Sequence, residues 1–197
     1  MNINILPGDF AIVDSSRFGA KAVKYLMRSP TIWQDFYRMA TNTLEIPLHY
    51  HALMFENGDY IIEQQGKCIR RTSEKILNTN NNLIIFRIKG ISQEDRQNLI
   101  TVAKADLGKG YGVISCLAKF LTWTTFIPYF ARYIKWDNTH ICINRICKWA
   151  YQVTDELFGK KTYLESTTWS LYKYVIAHPE KFEIVYSGNP REDNLSA

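Results

Sequence analysis

Short apolar runs separated by turn residues occupy the first half of the chain, which is the pattern of an antiparallel sheet. A Pro-Gly-Asp turn precedes the apolar run at residues 10–13. Residues 50–55 form a second run, which stops at the Glu-Asn-Gly-Asp of positions 56–59, and an Asn-Gly pair between two such runs predicts a hairpin. Residues 60–63 are the return strand. Three further strands are predicted at residues 67–70, 83–88 and 182–186.

Apolar residues recur at helical spacing in three other segments. Ser92 and Asp95 have the spacing of a capping box at the start of a helix that Gly108 closes. Residues 16–29 and 139–158 are also predicted to be helical, the latter with the apolar face Ile146, Trp149, Ala150, Val153 and Leu157. The elements together predict an α+β domain with an antiparallel sheet of five or six strands packed against helices.

The composition is that of a folded globule, with 46% hydrophobic and 22% charged residues in a chain of 197. This length fits one domain, predicted over residues 1–188, with an insertion at about 31–47 and a flexible C-terminal tail at 189–197. The net charge of +5 is mild, and the Lys and Arg residues are spread along the chain. This distribution argues against a dedicated nucleic-acid-binding protein, so no nucleic acid is expected as a partner.

No membrane or export signal is visible in the sequence. The first residues lack a basic segment followed by a long apolar one, so no signal peptide is expected. The longest uncharged apolar stretch, residues 120–131, is shorter than a membrane span and contains Pro128. We therefore expect no transmembrane segment and a cytoplasmic protein, or one carried in a virion or released by lysis if a phage encodes it. The sequence gives no indication of the oligomeric state.

The four cysteines do not form a recognisable framework. They are too few for a disulfide scaffold, and no Cys-x-x-Cys pair exists to suggest a structural zinc site. We accordingly expect no metal and no cofactor.

Cys142 is the best candidate for a nucleophile. It falls in the first turn of the helix predicted at 139–158, where the helix dipole and unpaired backbone N–H groups lower the pKa of a thiol. The same N–H groups can stabilise an oxyanion after the thiolate has attacked a carbonyl. The competing interpretation is a buried apolar cysteine with no chemistry. Cys147 lies in the middle of the same predicted helix, and Cys68 and Cys116 have no helix start beside them, so these three are poorer candidates for a nucleophile.

His51 and Glu63 are the candidates for the base and the residue that orients it. His51 lies on the strand before the hairpin, on the same side as Leu53 and Phe55, which we expect to face the helix. Glu63 ends the return strand, and a turn over residues 56–59 would leave it opposite His51, give or take one residue. Cross-strand neighbours come within ~5 Å. The alternatives are a structural histidine and an exposed hairpin salt bridge of little energetic value.

In this order the motifs resemble the permuted papain-like amidases of bacteria and phages, which are related to cell-wall cysteine peptidases and to the lecithin:retinol acyltransferase group. The resemblance runs from about Leu6 to Gly188, and the chain order of histidine, carboxylate and cysteine is the reverse of that in ordinary papain. The segments that carry it are residues 6–13, 27–30, 51–55, 60–66, 107–111, 141–142 and 178–188. It implies a permuted papain-like fold, a Cys142–His51–Glu63 triad, and a place for Tyr111 in substrate binding.

The main hypothesis is a cysteine hydrolase that cleaves an amide bond through an acyl-enzyme, on peptide or amide substrates that include cell-wall peptides. A second is an acyltransferase or thioesterase acting on lipids, with the aromatic segment 111–136 as an acyl groove. A third is a catalytically inactive binding module. The sequence leaves open the substrate, the acyl acceptor and the second donor to the oxyanion.

Overall fold

The computed structural model describes residues 3–13, 51–65, 67–78, 82–110 and 142–188. Six strands within these ranges form one antiparallel sheet in the order β4-β3-β2-β1-β5-β6. The strands are β1 (Phe10–Val13), β2 (His51–Phe55), β3 (Tyr60–Gln65), β4 (Lys67–Thr72), β5 (Leu83–Ile88) and β6 (Phe182–Gly188).

Four α-helices accompany the sheet in the described part of the chain: α1 (Glu74–Leu77), α2 (Gln93–Lys104), α3 (Cys142–Thr154) and α4 (Thr168–Ala177). A 3₁₀ turn covers Tyr163–Glu165. The Ser92 hydroxyl accepts from the Asp95 N–H while the Asp95 carboxylate accepts from the Ser92 N–H, so the predicted capping box is present. None of the helices in these ranges is both long enough and apolar enough to cross a membrane.

The sheet is buried on both faces, so alternate residues of the central strands enter two different cores. One core contains Ala52 and Met54 of β2 together with Ile146 and Trp149 of α3. The other contains Leu53 and the remaining odd-numbered apolar residues of the central strands, including Phe55, Ile61 and Ile85. Helix α3 therefore packs on the Ala52 face. Our expectation that the Leu53 and Phe55 face meets this helix was wrong.

The fold class is confirmed: the protein is α+β, with an antiparallel six-stranded sheet packed against helices. Two helices are shorter than predicted. Helix α2 ends at Lys104, and α3 ends at Thr154 because Asp155 takes a left-handed conformation (φ 56°) that breaks the helical hydrogen bonding. Helix α4 was not predicted from the sequence. The helix predicted at 16–29, the insertion at 31–47 and the tail at 189–197 lie outside the described residues.

Candidate active site

Cys142 is the first residue of helix α3, and only 3% of its surface is exposed. The helix is held against the sheet by its apolar face, which includes Ile143, Ile146 and Trp149. Two backbone groups, of Ala52 and Ile143, form hydrogen bonds with the sulfur that lower its pKa. Such bonds must be donated to the thiolate, which identifies the donors as N–H groups. The sulfur thus lies against the backbone of β2, at the positive end of the α3 dipole.

His51 is the first residue of β2, opposite Val13 of β1, and it is buried. Its ring forms a hydrogen bond with Cys142 and a second one with Glu63. Since His51 begins β2 and Cys142 begins α3, their side chains meet at one end of the sheet. The structure thus brings together the histidine and the cysteine that the sequence pattern paired, although the helix lies on the other face of the sheet.

Glu63 accepts a hydrogen bond from His51, with Nε2 and Oε2 2.7 Å apart, and its side chain is fully buried. The register that we expected was nevertheless wrong: Glu63 pairs with Leu53, two residues from His51. The loop is longer than predicted because Phe55 pairs with Ile61 instead of Tyr60. The His51–Glu63 contact is therefore diagonal, a distance that two long side chains on the same face can span.

Arg71 of β4 was not singled out from the sequence, yet it contacts the same carboxylate. Its Nε forms an ion pair with Glu63 Oε1, the oxygen that His51 does not use. Glu63 therefore lies between an imidazole and a guanidinium group, one on each neighbouring strand. Which charged residue of β4 faces Glu63 depends on the register of β2, β3 and β4, so no local sequence pattern indicated Arg71.

The electrostatics favour the charged forms of Cys142 and His51. Burial by itself lowers the pKa of His51, but the thiolate charge, the hydrogen bonds to Cys142 and Glu63 and the carboxylate charge raise it to about 10. Burial raises the pKa of Cys142, whereas the His51 charge, the His51 hydrogen bond and the two N–H groups lower it, and the lowering prevails. The charges and hydrogen bonds of the site therefore favour a thiolate–imidazolium pair over a neutral thiol and a neutral imidazole.

The other candidate residues in the described ranges lack this arrangement. Burial raises the pKa of the Cys68 thiol to about 11, which makes it a poor nucleophile. Cys147 is buried in the core beneath α3. His178 bonds through Nδ1 to the carbonyl oxygen of Tyr174 at 2.8 Å and stacks on the Tyr174 ring. Tyr111, which the resemblance implied in substrate binding, lies outside the described residues, as do Cys116 and the aromatic segment 111–136.

A buried polar cluster supports α3 one turn beyond Cys142. Arg145 donates to Asp106 Oδ2 at 2.8 Å, and Trp149 Nε1 donates to the same oxygen at 3.0 Å. Lys109 Nζ contacts Asp106 Oδ1 at 2.5 Å. Burial raises the pKa of Asp106, but the bonds from Lys109, Trp149 and Arg145 together lower it to about 2. The cluster fixes α3 to the turn that follows α2.

Among the residues that the structure describes, no three His, Cys, Asp or Glu side chains are grouped as a metal ligand set. The His51 and Glu63 side chains are instead bonded to each other.

No family model matches the sequence, and no curated protein matches it either. Among solved structures, the fold is similar to that of YiiX from Escherichia coli O157:H7, described as a metalloprotein and as DUF1105. The TM-score is 0.51 at 16% sequence identity, over 96% of this chain and 93% of YiiX. At this identity the likeness concerns the fold alone, and it is consistent with a permuted papain-like architecture.

Proposed function

We propose that the protein is a cysteine hydrolase that cleaves amide bonds, with Cys142 as nucleophile, His51 as acid and base, and Glu63 as the residue that orients the imidazole. One observation carries this proposal. A buried His51 links a carboxylate, at 2.7 Å, to a cysteine whose pKa is lowered at the start of a helix. The resemblance to the permuted papain-like amidases supports the same assignment.

In the proposed reaction the Cys142 thiolate attacks the carbonyl carbon of the scissile amide. The carbonyl oxygen becomes an oxyanion, to which the Cys142 backbone N–H at the positive end of α3 donates. His51, already an imidazolium, gives its proton to the leaving nitrogen as the carbon–nitrogen bond breaks. The products of this half-reaction are a free amine, a thioester on Cys142 and a neutral imidazole.

The second half-reaction removes the acyl group. Neutral His51 takes a proton from water as the water oxygen attacks the thioester, and the carbon–sulfur bond then breaks. The carboxylic acid leaves and the thiolate–imidazolium pair is restored. Glu63 holds the ring in one orientation through both steps. Its hydrogen bond occupies Nε2, which leaves Nδ1 for the sulfur side.

Peptide-like amides are the proposed substrate class. The net charge of +5 suits an anionic polymer, such as peptidoglycan carrying peptide stems. The closest alternative, acyl transfer to or from a lipid, would use the same thioester but a different acceptor.

The deciding experiment compares Cys142→Ala with Cys147→Ala, a substitution of a second buried cysteine on the same helix. Both are assayed on peptidoglycan stem peptides, an N-acyl amide and an acyl thioester, with folding checked by circular dichroism. We expect Cys142→Ala to abolish hydrolysis and Cys147→Ala to retain it. Full hydrolysis by folded Cys142→Ala would reject the proposal, and turnover of the thioester alone would favour the acyltransferase alternative.

A further inference from the structure

A line of charged side chains crosses three neighbouring strands on one face of the sheet. Glu63 of β3 pairs with Leu53 of β2 and with Ile69 of β4. His51 is two residues before Leu53, and Arg71 is two residues after Ile69. Both therefore reach Glu63 by diagonal contacts on the face to which it points. The sequence along this line is imidazole, carboxylate, guanidinium.

Each oxygen of the Glu63 carboxylate has a different partner. Oε2 accepts from His51, and Oε1 is paired with the Nε of Arg71. The carboxylate is wholly inaccessible to solvent, whereas 25% of the Arg71 side chain is exposed. A carboxylate that is hydrogen-bonded to His51 through one oxygen and ion-paired with Arg71 through the other has little freedom to rotate, so Arg71 helps to keep Oε2 directed at His51.

Arg71 also compensates the charge of the buried site. The buried group formed by the Cys142 thiolate, the His51 imidazolium and the Glu63 carboxylate carries a net charge of −1. Arg71 brings this total to zero. Buried charges without compensation are costly and tend to bind or release protons until they are neutral. Without Arg71, the group is expected to take up a proton at a higher pH.

We propose that Arg71 is a positioning residue of the active site, which orients Glu63 toward His51 and compensates the charge of its carboxylate. The inference rests on the proposed function, because it assigns Arg71 a role in the same triad. Arg71 acts through Glu63 and does not reach the reacting atoms. The described groups whose charges act on Glu63 or respond to it are His51 from β2, Arg71 and Cys68 from β4, and Cys142 through His51.

The neighbouring residue Arg70 provides a matched control. It lies next to Arg71 in β4, so its side chain points to the opposite face. There it pairs with Glu56 at 2.5 Å and stacks on the Tyr60 ring at 3.5 Å. Substitution of Arg70 removes the same charge from the same strand without changing the surroundings of Glu63.

The test is the pH profile of Cys142 alkylation by iodoacetamide, measured for the unmodified protein, Arg71→Gln, Arg71→Lys and Arg70→Gln. Mass spectrometry identifies the labelled peptide. We expect Arg71→Gln to move the acid limb of the profile upward by about one pH unit, the effect of losing one opposite charge at close range. Arg71→Lys keeps the positive charge, so its acid limb should stay close to that of the unmodified protein. Arg70→Gln should leave the acid limb unchanged.

The outcomes separate the two proposals. An unmodified protein in which Cys142 reacts no faster than an ordinary thiol counts against the proposed function. If the unmodified protein reacts as expected and folded Arg71→Gln has the same profile, the role of Arg71 is rejected while the triad stands.

A further variant covers the case in which Arg71→Gln does not fold. Glu63→Gln/Arg71→Gln removes both charges and leaves no uncompensated carboxylate. If the double variant folds while Arg71→Gln does not, Arg71 acts by compensating Glu63, as proposed. If neither folds, Arg71 is needed by the fold itself and the positioning role is rejected.

Discussion

The sulfur of Cys142 accepts a hydrogen bond from the backbone N–H of Ala52, the residue that follows His51 in β2. Helix α3 packs on the Ala52 face of the sheet, whereas Leu53 and Phe55, which alternate with Ala52 along β2, belong to the opposite core. The hydrogen bond to Ala52 explains how the first residue of α3 nevertheless reaches His51. The start of the helix and the start of the strand coincide in space. The site is therefore built from two element ends, held in place by the core beneath α3.

The thiolate–imidazolium pair predicts a bell-shaped pH dependence for hydrolysis. Cys142 has a lowered pKa, so the acid limb should lie below the ordinary thiol value of 9.0. The alkaline limb follows the loss of the His51 proton, at about 10. Both limbs are macroscopic properties of the pair. The measurement is kcat/KM against pH on a substrate that the protein cleaves.

His51→Gln provides the comparison for this profile. Without the imidazolium, the Cys142 thiol loses the largest influence that lowers its pKa, so its alkylation should rise only toward pH 9 and above. A profile for the unmodified protein that rises in the same range as that of His51→Gln would show that no ion pair exists at neutral pH.

The strands and the choice of His51, Glu63 and Cys142 could be predicted because they depend on local patterns: a hairpin, an alternation and a helix start. The register could not, because it depends on how the turn closes. The Asn57 side chain accepts from the N–H groups of both Asp59 and Tyr60, which gives a longer loop than the Asn-Gly pair suggested. One residue of loop length moves every cross-strand pair.

Arg71 and Arg145 were missed for a different reason. In sequence, the charged positions of β4 are typical of a solvated edge strand, and nothing local separates Arg71 from Arg70. Arg145 lies in α3 among apolar residues, and its partner Asp106 is 39 residues away. Contacts of this kind follow from how helices and strands pack, and a single sequence does not encode that packing in any local pattern.

The stability of the protein should depend strongly on a buried ion pair at the turn before β1. Asp9 is fully buried; it accepts two bonds of 2.8 Å from Arg87 and one of 2.8 Å from the Leu6 N–H. Arg87→Met would leave this carboxylate with a poorer set of partners, and we expect a loss of about 3 kcal/mol in the free energy of unfolding. Urea denaturation at pH 7 measures the loss.

Glu183→Gln is the control for this prediction, because Glu183 contacts Arg87 from the exposed side at 3.4 Å and is half exposed. An exposed pair contributes little, so the variant should stay within about 0.5 kcal/mol of the unmodified protein. Equal losses in the two variants would contradict the assignment of the stabilising role to Asp9.

The Asp106 cluster should give the protein a stability that depends on acid pH. The pKa of Asp106 falls from 3.8 to about 2 on folding, so its contribution is complete above pH 3.8 and is lost as the pH falls through 2. We expect Asp106→Asn to lower the free energy of unfolding at pH 7 by about 2–3 kcal/mol, because Arg145 then stays buried without its carboxylate. The difference from the unmodified protein should narrow steadily between pH 4 and pH 2.

Urea denaturation at a series of pH values tests whether the stability difference narrows as the pH falls, with Lys109→Gln as the control. Lys109 binds the same carboxylate, but 37% of its side chain is exposed, so its removal should cost less than about 1 kcal/mol. Because Asp106 fixes α3 through Arg145, Asp106→Asn should also slow hydrolysis in the folded state, by loosening the helix that carries Cys142. A destabilisation by Asp106→Asn that stays constant from pH 7 to pH 2 would mean that the carboxylate charge contributes nothing.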